Sequence, residues 1–323
     1  MACSTAVNHS VLGLQRQIVG KRLSLLSLPA ITNLGGIPRR RRSCHVYAHL
    51  QPSVVSDDPK YGNKQVITIT PRLYDYILTN VREPEILRQL REETANMRGS
   101  QMQVSPEQAQ LLAMLVQILG AERCIEVGVY TVRTSRTPSF LNFSCLSCAT
   151  AYHFEEHILL TLDGYSSLAI ALVLPESGYL VACERDSKSL EVAKRYYKQA
   201  GVSHKVDVKH GLASDALKSL ILNGESGSYD FAFVDAEKRM NQEYFELLLQ
   251  LFVRNALSLL LQVRTRGVIV IDNVLWHGKV ADPLVNDART VSIRNFNKNI
   301  MEDKRVSISM VPIGDGITIC RKR

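Results

Sequence analysis

Carboxylates recur where short apolar runs end. Glu126 interrupts Cys-Ile-Glu-Val-Gly, Glu184 closes Tyr-Leu-Val-Ala-Cys-Glu, Asp235 follows Phe-Ala-Phe-Val, and Asp272 follows Val-Ile-Val-Ile with Asn273 after it. If the runs are parallel strands, these groups gather on one edge of a sheet, where open α/β sheets bind their ligands. A carboxylate in the position of Glu184 can accept hydrogen bonds from both hydroxyls of an adenosine ribose; the competing reading is a helix cap. The loop that begins the series, Glu126-Val127-Gly128-Val129-Tyr130-Thr131, lacks the GxGxxG pattern. It therefore offers no cradle for the phosphates of a nicotinamide dinucleotide. Gly128 instead lets the backbone approach a ligand without phosphates.

Asp235, Asp272 and Asn273 are hard oxygen donors suited to Mg, Mn or Ca, and no His or Cys stands beside them to suggest a softer metal. A divalent cation held by three protein ligands keeps positions for substrate oxygens and lowers the pKa of a hydroxyl bound there. Lys238 follows Asp235 by three residues and is placed to act as a general base with Asp235 beside it. Taken alone, a lysine at that position reads as a solvated surface group.

The elements that must position these groups follow from periodicity. Ser105-Pro106-Glu107 opens a helix whose stripe is Leu111, Leu112, Leu115, Val116 and Leu119. Before it, Tyr74, Ile77 and Leu78 share one helical face, and 84–96 forms a second helical segment. After Gly120, strands at 124–128, 179–183, 205–209, 231–234 and 268–271 alternate with helices at 186–200 and 214–222. That alternation predicts a parallel sheet flanked by helices. The last segments, 306–312 and 317–321, flank Gly314-Asp315-Gly316 and predict an antiparallel hairpin.

The chain has 323 residues and a formal charge of +8, but seven of its basic residues precede Asp57, the first acidic residue. The remainder is near neutral, so the charge does not argue for nucleic-acid binding. A leader without acids, carrying Arg39 to Arg42 and many small residues, has the composition of a transit peptide. The expectation is a leader over 1–56, directed to the chloroplast or alternatively the mitochondrion, and a catalytic domain over 57–323. No apolar run is long enough to span a bilayer; 246–262 comes nearest and is broken by Arg254 and Asn255. The cysteines Cys124, Cys183 and Cys320 lie in apolar runs and read as buried thiols.

From Met102 onward the chain resembles the caffeoyl-CoA O-methyltransferase family, plant relatives of catechol O-methyltransferase. The resemblance is carried by MQVSPEQAQLL, IEVGVYT, GYSSLAIAL, YDFAFVDAEK, GVIVIDNVLWHG and PIGDGITICRK. It implies a Rossmann-like class I methyltransferase fold: α/β, a mostly parallel seven-stranded sheet with a C-terminal antiparallel hairpin. It also implies a homodimer. It assigns Met102, Val104, Glu126, Gly128, Ser166, Glu184, Ala213 and Asp235 to S-adenosylmethionine, and Asp235, Asp272 and Asn273 to a divalent metal. Glu237, Trp276 and His277 fall at the phenolic substrate. Two of these depart from the family, which usually has Asp at 237 and Asn at 277, so caffeoyl-CoA, flavonoids and small catechols all remain acceptors to consider. Trp276 could equally bury a core edge.

Two segments, 132–163 and about 252–262, have no counterpart in the family. Within the first, Cys145, Cys148, His153 and His157 resemble zinc ligands, but only four residues separate the pairs where about twelve are usual. Loop entropy rises slowly with length, so the fold is expected to tolerate 132–163, while the cofactor loop is expected to bind more weakly. The alternatives to an active enzyme are therefore an impaired isoform that acts as a folded or dimerising partner, and a nicotinamide-dependent oxidoreductase.

Overall fold

The computed structural model describes residues 53–54, 65–66, 68–97, 99–128, 164–185, 187–252 and 267–323. Both family-foreign segments lie outside the described residues apart from Phe252, as do the zinc-like cluster and the leader apart from Ser53 and Val54. Ser53–Val54 pairs antiparallel with Gln65–Val66 in a unit of its own.

The remaining chain is built on seven strands: β1 (Arg123–Gly128), β2 (Tyr179–Glu184), β3 (Val206–His210), β4 (Phe231–Asp235), β5 (Val268–Asp272), β6 (Val306–Val311) and β7 (Ile317–Lys322). Their order across the sheet is β3-β2-β1-β4-β5-β7-β6. The first five are parallel, while β7 runs antiparallel to β5 and to β6. This is the expected class I methyltransferase sheet, with the hairpin closing one side.

Alternation sorts the strand residues onto two cores. Ile125, Val127, Val181, Cys183, Ala232, Val234, Ile269 and Ile271 face α6 (Ala213–Leu222), α7 (Asn241–Leu251) and α8 (Ala288–Glu302). Cys124, Leu180, Phe231, Phe233, Val268 and Val270 face α2 (Glu85–Thr94), α3 (Pro106–Leu119), α4 (Tyr165–Val173) and α5 (Ser187–Gln199). Burial on both faces explains why these strands read as continuous apolar runs. The segment before α2, α1 (Pro71–Thr79), buries none of its residues fully; its apolar face of Leu73, Tyr74, Ile77 and Leu78 is half-buried.

Two local details refine the sequence reading. Ser105 has the extended backbone of an N-cap but makes no side-chain cap bond; its Oγ donates to Glu107 Oε1 at 2.7 Å. The buried stripe of α3 also begins earlier than the leucines, with Gln108 and Ala109 joining Leu112 and Val116. Gly201 ends α5 as expected: it adopts φ +70, and its N–H donates to Lys198 O.

Candidate active site

Parallel register places the strand-end groups side by side. Gly128 pairs with Asp235, Glu126 with Ala182, and Val234 with Ile271, one step before Asp235 and Asp272. The groups divide between two neighbouring regions.

The first is a cleft at the ends of β1 and β2. Glu126, Gly128, Ser166, Ser167 and Glu184 line it, with Ala193 and Tyr197 of α5. Glu126 and Glu184 are both buried. Ser166 Oγ donates to Glu126 Oε1, and Ser167 Oγ shares a 2.6 Å hydrogen bond with Tyr197 Oη. Gly164 begins this stretch with φ +79, and a Cβ there would lie 2.5 Å from Ala193 Cβ. Only glycine combines that backbone with so close an approach to α5. The next residue, Tyr165, is buried; its hydroxyl donates to Glu83 Oε1 at 2.6 Å, and Arg91 grips the same carboxylate through Nε and Nη2 at 2.8 and 2.7 Å. Burial and the Glu83 carboxylate push the Tyr165 phenol well above its ordinary pKa. The start of α4 is thus fastened to β1, α5 and the segment before α2 by its own side chains.

The second region lies at the ends of β4 and β5. Asp272 is 3% exposed, and Asn273 N–H donates to its Oδ1 at 2.7 Å. Burial, reinforced by the charge of Asp235, pushes the Asp272 carboxyl well above the usual carboxylate range. Lys238 is also buried, and its Nζ donates to Asp235 Oδ1 at 2.7 Å. The surface-lysine reading therefore fails: a one-turn helix at Lys238–Met240 turns the side chain inward.

The chain after β5 is bent sharply, with left-handed backbone at Asn273, Trp276 and His277 (φ 56, 49 and 52). Non-glycine residues in that region are uncommon and concentrate at functional sites. The β6–β7 turn holds the bend. Val274 N–H donates to Gly316 O and Leu275 N–H to Asp315 O, both at 3.0 Å, and His277 N–H donates to Asp315 Oδ1 at 2.5 Å. Trp276 is half-buried with its ring 5.7 Å from that of His277, which is exposed. Glu237 is held by Arg239, through N–H and Nε at 3.1 Å, and lies 4.0 Å from Arg289 Nε.

The structure thus gathers Glu126, Gly128, Ser166 and Glu184 at one cleft and Asp235, Lys238, Asp272 and Asn273 at the adjoining strand ends. Met102, Val104 and Ala213 do not line the described cleft. Met102 is 46% exposed, Val104 belongs to the core, and Ala213 is buried at the start of α6. Sequence reasoning missed Gln108, Asp315 and the Glu83–Arg91–Tyr165 cluster. Only Gln108 left a signal, as a polar residue four positions before Leu112 on the buried stripe.

The donor chemistry of the second region fits a hard cation. Two carboxylates, Asp235 and the buried Asp272, end adjacent strands, with an amide-bearing Asn273 next in sequence, and a cation held between such strand ends would relieve their mutual repulsion. Among the described residues, no group of three or more His, Cys, Asp or Glu is arranged to hold a metal, so such a site needs Asn273 or non-protein oxygens besides the two acids.

Comparison with known proteins identifies the family. The O-methyltransferase family model matches residues 78–137 and 158–323, passing over 138–157. Tricin synthase 1 of Oryza sativa subsp. japonica is 38% identical, the match covering 77% of this chain and 87% of that protein. A probable caffeoyl-CoA O-methyltransferase of Arabidopsis thaliana is 37% identical over 77% of this chain and 93% of its own length. Among solved structures, the O-methyltransferase TomG of Streptomyces achromogenes, in complex with SAM, superposes with a TM-score of 0.58 at 27% identity, covering 77% of this chain and 95% of that one. The O-methyltransferase of Bacillus cereus, in complex with SAH, gives 0.58 at 28% identity, covering 77% and 97%.

Proposed function

The chain belongs to the O-methyltransferase family, and we propose that it transfers the methyl group of S-adenosylmethionine to a catechol-type hydroxyl with the help of a divalent cation. The observation that carries this reading is the adjacency of the two regions: the Glu126–Glu184 cleft and the Asp235–Asp272 pair occupy the ends of four neighbouring strands, β2-β1-β4-β5.

In this reading Glu184 accepts hydrogen bonds from the cofactor's ribose, and Glu126, fixed by Ser166, lines the cleft beside the Gly128 backbone. Met102, Val104 and Ala213 are proposed to border the same cofactor. Asp235, Asp272 and Asn273 hold the cation, which when bound supplies an electrostatic seat for an ionised hydroxyl. Lys238 Nζ, held by its hydrogen bond to Asp235, is the group placed to receive the hydroxyl proton. Glu237, Trp276 and His277 border the acceptor, with Trp276 offering an aromatic wall. Nicotinamide chemistry is disfavoured by the lack of a phosphate-binding glycine loop and leaves the Asp235–Asp272 pair without a role.

The names of the relatives support a phenolic acceptor such as caffeoyl-CoA or a flavonoid. Incubating the protein with S-adenosylmethionine, Mg²⁺ and a panel of caffeoyl-CoA, vicinal-diol flavonoids and small catechols, each beside its monohydroxy analogue, tests this. Methylation confined to the vicinal diols is expected; equal methylation of the monohydroxy analogues would refute the catechol reading. Homodimerisation and chloroplast import belong to the same proposal. Light scattering of the mature protein and N-terminal sequencing of plant-extracted material check them, the expected mature terminus lying between Cys44 and Leu50. A monomeric mass or an intact Met1 in the cytosol would remove them.

A further inference from the structure

Beyond the bend at 273–277 the chain reaches α8 through a strap, 278–287, that has no core of its own. None of the described residues 275–289 is buried, and Leu284 is 87% exposed. Apolar packing therefore does not fix the strap, and a segment of this kind opens at little cost. A guanidinium supplies what packing does not. Arg294, in the second turn of α8, donates from Nε to Val280 O at 3.0 Å. Its Nη2 donates to Asp282 O at 2.9 Å, Val285 O at 3.1 Å and Lys279 O at 3.4 Å. One turn further along α8, Asn297 Nδ2 donates to Val274 O at 2.8 Å. Trp276 and His277 lie in the chain between these two holds, both with left-handed backbone. Such backbone persists where its surroundings hold it.

We infer that Arg294 is a positioning residue for the acceptor side of the site: by gripping four carbonyls of the strap it fixes the chain that runs on from Trp276 and His277, and so sets where those two side chains stand. The inference rests on the reading of Trp276 and His277 as neighbours of the acceptor. The grip depends on the shape of the group rather than on its charge. An arginine spreads its donors over a rigid planar fork, whereas a lysine gathers them on one nitrogen, too compact to span carbonyls from 279 to 285. A loosened strap must be ordered again whenever an acceptor binds, and that ordering lowers affinity.

The test uses the full chain and the variant Arg294→Lys. Hydrogen exchange reads the strap: its amides should exchange about tenfold faster in the variant, while those of β4 and β5 keep their native rates. Calorimetry reads the site. Caffeoyl-CoA, a vicinal-diol flavonoid and catechol are each titrated into protein saturated with S-adenosylhomocysteine and Mg²⁺, a mixture that cannot turn over. The variant should bind the tightest of these about tenfold more weakly, with S-adenosylmethionine affinity within about twofold of native, below any lost hydrogen bond. Its melting temperature should fall by no more than about 2–4 °C, because the strap buries little. An arginine that merely braces the fold gives a lower melting temperature with unaltered acceptor affinity. Acceptor affinity that is unaltered, or weakened without faster exchange in the strap, overturns the inference. If Arg294→Lys does not fold, Pro283→Gly frees the strap with Arg294 in place, and unaltered acceptor affinity there overturns the inference instead. Trp276→Ala separates the inference from the reading beneath it. If the native chain binds no diol, or Trp276→Ala binds as native does, the acceptor reading falls and this inference with it. Weakened binding by Trp276→Ala beside native binding by Arg294→Lys sinks the inference alone.

Discussion

The Glu126–Glu184 cleft and the acid pair lie side by side on the same strand ends, yet they are built in opposite ways. In the cleft Ser166 pairs with Glu126 and Ser167 with Tyr197, and beside it Tyr165 pairs with Glu83. Around the pair, Asp272 is buried near a like charge, one atom each of Gln108 and Asp315 is buried without a partner, and Asn273, Trp276 and His277 hold left-handed backbone. The first region is organised by its own hydrogen bonds. The second carries polar groups that the chain alone leaves poorly satisfied, as expected where a charged group completes the site.

That contrast predicts separable failures. The largest effect belongs to Asp272→Ala, which should cut methyl transfer by about a thousandfold or more, the several kcal/mol a catalytic cation supplies. Cofactor affinity, measured by calorimetry, should stay within a few-fold, and a comparable loss there would merge the two regions into one. Lys238→Met comes next. It should lower turnover by roughly 10²–10⁴, the range for loss of a general base. Because it strips a buried ion pair from Asp235, whose loss costs on the order of 3–5 kcal/mol, its melting temperature must be recorded beside its rate.

Smaller and on the other side of the divide, Ser166→Ala removes the hydroxyl that holds Glu126. It should weaken S-adenosylmethionine by about tenfold, as loss of a charged hydrogen bond of roughly 1.5–3 kcal/mol implies, while Mn²⁺ titration remains unchanged. Weakened Mn²⁺ binding in that variant would break the comparison.

The smallest effect is expected from deleting 132–163. Loop length alone argues for a loosened cofactor site. The described residues at the return point argue for a small effect: Gly164, Tyr165, Ser166 and Ser167 are fastened to Ala193, Glu83, Glu126 and Tyr197. Gly128 and Gly164, on either side of the segment, border one cleft. Phe252 and Gly267, on either side of the other foreign segment, are likewise in close contact. Joining 131 to 164 should therefore tighten S-adenosylmethionine by no more than several-fold, consistent with the modest cost of lengthening a loop. A hundredfold gain on calorimetry would show that the anchors do not isolate the site.

The strands and their chemistry were legible in the sequence because burial on both faces writes uninterrupted apolar runs, and because a parallel sheet puts each run's last residue on the ligand-binding edge. Glu126, Glu184, Asp235 and Asp272 could be picked out for that reason. Lys238 could not be told from a surface lysine until a one-turn helix was seen to aim it at Asp235. Asp315 was hidden for a different reason: its partner, the His277 N–H, lies in a distant loop, and a Gly-Asp-Gly turn needs no tertiary partner to explain its composition. The Glu83–Arg91–Tyr165 cluster joins a loop, a helix and the start of another helix, contacts that no periodicity encodes.

The claim that most needs testing is that a cation held by Asp235, Asp272 and Asn273 drives the reaction. Methyl transfer from S-adenosylmethionine to the best diol acceptor should be measured with Mg²⁺, with excess chelator, and with Mg²⁺ restored after chelation. The account predicts turnover with Mg²⁺, none above background in chelator, and recovery on restoration. Full turnover in excess chelator would contradict it.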